Sequence, residues 1–174
     1  VDQFVYLAAL LNDKKISIKD VMLINMDEYL TDDDQWIPIE HPLSFRGYMD
    51  RLFYDRLDPL LAPKPENRVF PDPANPGAIQ KMIDSRGGVD ACFGGIGING
   101  HIAFNEPPEN AECGMRNAEQ ETGTRVACPS EVEEFAALST RVLSLARDTR
   151  TIHSVTVGGG IEVVTRRCVT DREG

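Results

Sequence analysis

The chain has 174 residues, 41% of them hydrophobic, enough for one globular domain with a substantial core and too few for two well-packed ones. Lys and Arg number 18 against 28 Asp and Glu, and the resulting net charge of −10 excludes the concentrated positive potential that nucleic-acid or anionic-membrane partners need. No apolar stretch approaches the roughly 20 residues of a membrane span. Cys92, Cys113, Cys128 and Cys168 form no C-x-x-C pair, so the chain reads as a cytoplasmic protein with reduced thiols, and nothing in it points to a metal or an organic cofactor.

Phe4, Leu7, Ala8 and Leu11 recur at helical spacing, and the polar Asn12 to Lys15 end that first helix. VMLIN at 21–25 is a short apolar run closed by a polar residue, the pattern of a strand buried on both faces; NMDEY at 25–29 follows it, so Asp27 is expected at the strand's carboxyl end. An acidic run, Asp32 to Asp34, comes next and reads as surface charge. His41, Pro42 and Ser44 prepare a helix through Phe45, Tyr48, Met49, Leu52 and Phe53, which gives His41 a structural, capping-type place. Six of the 11 prolines then fall between Pro59 and Pro76, an extended connection that is either a flexible linker or an ordered surface loop. Ile79, Met82 and Ile83 face one side of a further helix that Gly87 and Gly88 stop.

VDACF at 89–93 is expected as a short strand running into the glycine-rich loop GGIGINGHIAFNEP at 94–107. Gly95, Gly97 and Gly100 match the G-x-G-x-x-G pattern of dinucleotide sites, but that fingerprint needs a helix to open on its third glycine, and Pro107 and Pro108 end any regular run. His101 and Glu106 can both move or hold protons near neutral pH; a glycine turn beside a core histidine is the plainer alternative. Strands alternating with helices predict an α/β fold, an open, mainly parallel sheet with helices on both faces, whose ligands collect outside the carboxyl ends of the strands. NMDEY and the glycine loop both follow strands, so Asp27, His101 and Glu106 are expected in one cleft. Against this stands the reading of Asp27 and Glu28 as part of a solvated acidic loop.

NMDEY at 25–29, HPLSF at 41–45 and the G-x-G-x-N-G-H-x-x-F-N-E-P loop at 95–107 together resemble the glucosamine-6-phosphate deaminase (isomerase) family, in its order and approximate spacing. STRVLSL at 139–145 and DTR at 148–150 are more loosely similar to downstream family segments. The resemblance implies a fold of the deaminase, ribose-5-phosphate isomerase and CoA-transferase-like class. It also implies a reaction that moves a proton between C2 and C1 of an amino-sugar phosphate, expels ammonia and leaves a ketose phosphate. Asp27 would take the C2 proton, His101 would serve the ring oxygen and anomeric hydroxyl as acid and base, and Glu106 would orient it. Asn99 stands where well-known members carry aspartate; it can accept a hydrogen bond but brings no charge, which leaves Glu106 to supply it. Glu28 and the glycines Gly95, Gly97 and Gly100 would line the substrate. Arg141 and Arg150 are candidates for part of the phosphate contact, with ordinary surface pairing as the alternative. His153 has no acidic neighbour in sequence nearer than Asp148 and receives no role.

Family members begin with a strand and a glycine-rich phosphate loop, so residues 1–174 are expected to form a single sugar-phosphate domain that is incomplete at both ends. The resemblance allows a homo-oligomer. Two other readings share part of the pattern: a 6-phosphogluconolactonase-type hydrolase, which shares the fold and a G-H loop but over which FNEP and NMDEY favour the deaminase, and a non-catalytic sugar-phosphate sensor.

Overall fold

A computed structural model describes residues 3–97, 101, 103–104, 140–158 and 167–170. Helix α1 spans Gln3–Lys14, with Ala8 and Leu11 buried and Lys14 in its last turn, where a cation suits the helix dipole. Asn12 ties its end to the rest of the fold, donating to the Arg56 carbonyl at 2.7 Å and accepting from the Asp58 N–H at 2.8 Å. The apolar side of α1 packs on helix α2, Phe45–Leu52, and on the turn after it, forming one core from Ala8, Leu11, Met49, Phe53, Tyr54 and Leu57.

Strand β1 is short, Leu23–Ile24, and pairs in parallel with β3, Arg68–Val69. β3 lies inside the proline-rich stretch, which is therefore an ordered loop. Pro63 and Pro71 are fully buried, and Asn67 donates to the Lys19 carbonyl at 3.1 Å. Helix α3, Ala78–Arg86, ends as expected on Gly87, whose φ of 84° is open to glycine at little cost.

After β1 the chain kinks at Asn25 and Met26 and enters a second sheet. β2, Asp27–Leu30, pairs antiparallel with β5, Arg167–Thr170, and β5 pairs antiparallel with β4, Arg141–Ser144. Helix α4, Arg147–Thr156, follows β4. The expected α/β class is thus what the structure has, with ladder directions more mixed than the alternation of elements implied: parallel in β1–β3, antiparallel in β2–β5–β4. The strand expected at 89–93 is corrected. These residues take no strand conformation, and Val89 and Phe93 are 51% and 80% exposed, because no described strand offers them a ladder. Asp27 accordingly opens β2 rather than closing β1.

The second core lies on β2. Tyr29, Ile37, Leu43, Phe104, Leu145 and Cys168 are buried together, with Phe45, Leu143 and Val157 packed against them. Residues 31–35 turn back tightly, Thr31 N–H to Gln35 carbonyl at 2.7 Å, and Asp32 and Asp33 are exposed at the tip, in keeping with surface charge.

The junction of β2 and α2 is built on a carboxylate. Glu28 is wholly buried, and its two oxygens accept from the Tyr29, Phe45 and Arg46 N–H groups at 2.8, 3.1 and 3.0 Å, from the Ser44 hydroxyl at 3.1 Å and from Arg46 Nε at 2.9 Å. Ser44 is the N-cap of α2 and accepts from the Gly47 N–H at 3.2 Å. The first three N–H groups of the helix, orphaned by geometry, are thereby satisfied, and a negative charge sits at the positive end of the dipole. His41 supports the approach, its Nδ1 accepting from the Leu43 N–H at 3.1 Å. Glu28→Gln is expected to lower stability by about 3 kcal/mol and Ser44→Ala by about 1 kcal/mol. The double variant should cost less than their sum because the two share one network. Urea unfolding of the three variants checks both.

Candidate active site

The commitment of Glu28 to α2 decides which way its neighbours point. Side chains alternate along a strand, so Asp27 and Tyr29 share the face of β2 opposite to that of Glu28 and Leu30. Glu28, expected to line the substrate, has both its oxygens engaged by protein donors and anchors the strand that carries Asp27.

Asp27 is partly buried, and its carboxyl is pushed up from 3.8 to about 7, first by desolvation and then by the charge of Glu28 beside it. A carboxylate that gains and loses its proton near neutrality is suited to general base work. Register adds a partner. Asp27 pairs with Thr170 and Thr170 with Arg141, which puts Asp27 and Arg141 in one cross-strand row two strand spacings apart, about 10 Å. Burial lowers the pKa of the Arg141 guanidinium, yet arginine keeps its charge.

The loop histidine reaches the same face through aromatic rings. Tyr29 meets Phe104 at 5.2 Å between centroids, and Phe104 meets His101 at 5.4 Å. The Gly97 N–H donates to the His101 carbonyl at 2.8 Å, closing the loop on itself, and the imidazole lies where a Cβ on Gly97 would stand. Gly97 thus has a steric reason to be glycine, whereas a Cβ on Gly95 would meet no neighbour. Asn99, Gly100 and Glu106 lie outside the described residues.

Arg150 is on α4, one turn before His153, so both occupy one side of that helix. His153 is the residue that the sequence left without a role. Its Nε2 is 2.8 Å from the Tyr29 hydroxyl and its ring stands edge-on to Tyr29 at 5.1 Å. The signal was present in its three-residue spacing from Arg150, but reading it required knowing which side of α4 faces β2. The structure sets His101 against Phe104 and His153 against Tyr29 and Phe104, with Asp27 on the same face of β2 as Tyr29 and Arg141 in its cross-strand row. Among the described residues no three His, Cys, Asp or Glu side chains gather as a metal set, and no helix is long and apolar enough to cross a membrane.

Two consequences can be measured. Between pH 4 and 7 the folded protein holds a proton on Asp27 that the unfolded chain has released, so its contribution to stability falls as pH rises through that window and is constant above it. Asp27→Asn should remove this slope and raise stability at pH 8 by roughly 2 kcal/mol or more relative to pH 5, read by urea unfolding at both values. Gly97→Ala should displace the imidazole while leaving the thermal midpoint of the rest of the fold nearly unchanged, seen as a shift of the His101 ring resonances.

No protein-family model matches the chain. A glucosamine-6-phosphate deaminase of Serratia proteamaculans is 30% identical over 172 residues, 98% of this chain and 53% of its own length. One of Porphyromonas gingivalis is 41% identical over 98 residues, 53% of this chain and 34% of its own. Among solved structures, a monomeric glucosamine-6-phosphate deaminase of the NagB superfamily matches with a TM-score of 0.69 at 24% identity, over 97% of this chain and 58% of that one, a likeness of fold. The chain spans about half the length of the Serratia relative and of the solved structure, and its match to the Porphyromonas one covers about a third of that protein. Along nearly all of its residues the chain is similar to the glucosamine-6-phosphate deaminases.

Proposed function

We propose that the chain carries the proton-transfer part of an amino-sugar phosphate deaminase, converting glucosamine 6-phosphate and water to fructose 6-phosphate and ammonia. The observation that carries this reading is Asp27: a carboxyl with a pKa of about 7, on the face of β2 that also gathers Tyr29, Phe104 and His101. In this reading His101 exchanges the proton between the ring oxygen and the anomeric hydroxyl and so opens the pyranose. The Asp27 carboxylate then takes the proton from C2 and returns it to C1, while the C1 oxygen gains a proton and the C2 amine gives one up, which leaves a C2 imine that water hydrolyses with release of ammonia. Arg141, in the same cross-strand row as Asp27, and Arg150, on the side of α4 that holds His153, are the cations suited to the phosphate. Glu106 and Asn99 keep the parts that the family resemblance gives them, orienting the imidazole and standing in for an aspartate. The acid-base chemistry needs no metal or organic cofactor.

The test is to incubate the protein with glucosamine 6-phosphate and assay both ammonia and the ketose phosphate. Both should form in equal amounts, and Asp27→Asn should lower turnover by about 100- to 10,000-fold, the range for a positioned general base. Below pH 7 kcat/KM should drop about tenfold per unit as Asp27 takes up its proton, and level off above. Release of acid from a 6-phosphogluconolactone with no ammonia from the amino sugar would replace this reading with a lactonase. Binding of fructose 6-phosphate without turnover of either compound would replace it with a sensor.

A further inference from the structure

The turn that carries His101 is seated by residues outside it. Ala103 and Phe104 have φ values of 46° and 53°, the left-handed region that side-chain-bearing residues avoid, and such backbone persists only where its surroundings hold it. Phe104 supplies the hold. Its ring is 6% exposed and meets Tyr29 at 5.2 Å, His153 edge-on at 6.2 Å, Phe45 at 6.3 Å and His101 at 5.4 Å. Tyr29 is the centre of this cluster, stacked on Phe45 at 5.2 Å and 17°. A tyrosine ring this deeply buried, 3% exposed, needs a partner for its hydroxyl, and His153 provides one at 2.8 Å. Three elements therefore meet in one aromatic clamp: β2 through Tyr29, α2 through Phe45 and α4 through His153.

We propose that His153 is a positioning residue for His101: by holding the Tyr29 hydroxyl it fixes the ring against which Phe104, and with it the His101 turn, is seated. The inference rests on the reading of His101 as the proton-transfer group. His153 acts through two aromatic rings, so its loss misplaces the imidazole in every catalytic cycle and leaves the groups that grip the phosphate in place. Its effect belongs in kcat rather than in KM.

The test uses three substitutions. Tyr29→Phe keeps the ring and deletes the hydroxyl, His153→Leu deletes the imidazole, and His153→Gln keeps a polar atom near the position of Nε2. Tyr29→Phe and His153→Leu should each lower kcat about tenfold, the scale of one lost buried hydrogen bond, with KM changed by less than about twofold. Their double variant should be no worse than the poorer single one, because both remove the same bond. His153→Gln should recover most of kcat. In the ligand-free protein the His101 imidazole resonances should move in Tyr29→Phe and His153→Leu and stay in place in His153→Gln. An unchanged kcat in folded His153→Leu, additive losses, a glutamine variant as impaired as the leucine one, or unmoved His101 resonances would each overturn the proposal. Should His153→Leu fail to fold, Tyr29→Phe, which removes a single oxygen, carries the test. The resonances are read without substrate, so they decide the clamp even if no ammonia is released, an outcome that would overturn the proposed function alone.

Discussion

The structure around β2 depends on where one carboxylate goes. Glu28 lies among the N–H groups that open α2, with Arg46 and Ser44 completing its shell. Left without those five donors, an anion so deeply buried would be prohibitively costly; with them, it joins a strand to the positive end of a helix. Because side chains alternate along a strand, this one anchorage also fixes the orientation of its neighbours: Asp27 and Tyr29 are turned to the opposite face, and that face becomes the site. A slip of one residue would place Asp27 at the helix terminus and leave Glu28 and Leu30 facing the loop histidine. The helix cap thus specifies register as well as stability.

Two adjacent carboxylates consequently have different fates. Glu28 is surrounded by donors, while Asp27 is desolvated and lies beside the charge of Glu28, both of which favour its protonated form. Two acids adjacent in sequence thus meet different surroundings, one among donors at a helix start and one desolvated on the opposite face. The cost appears in stability, since above neutrality the fold holds an ionised Asp27 it would hold more readily protonated. In the proposed function, proton transfer and a maximally stable fold make opposite demands on this carboxyl.

Helices were the most legible part of the sequence because their determinants are local. Ser44 three residues before Gly47, Gly87 after Ile83 and the apolar spacing of Phe4, Ala8 and Leu11 all act within a few residues of the elements they define. The β2–β5–β4 sheet was much less legible. Its central strand comes from residues 167–170, more than a hundred positions after β2, and nothing in DEYL or RCVT names the other as partner. The apolar run at 89–93 shows the reverse failure: its composition suits a strand, but composition cannot supply the neighbouring ladder. Within the site, Asp27 and His101 could be nominated from their motifs. The place of Glu28 could not, because in sequence it is merely the second acid of a pair, and what separates it from Asp27 is a serine 16 positions away. His153 was missed for the same reason, its significance lying in a hydroxyl 124 positions distant.

The residues whose contacts the sequence did not show share a physical character. Glu28 and His153 each hold a group that holds a site residue: the first fixes the strand of Asp27, and the second meets the ring on which the His101 turn is seated. Motifs concentrate the atoms that could meet a substrate, because those atoms must converge on one small volume and their identities are set by chemistry. Supporting groups are constrained instead by distance and complementarity to one partner, which many residue types can satisfy and which leaves little mark on local sequence. The strained pair at Ala103 and Phe104 shows why such support is needed. Ala103 and Phe104 stand in left-handed backbone that their own propensities disfavour, so the hold has to come from the aromatic clamp, which three other elements supply.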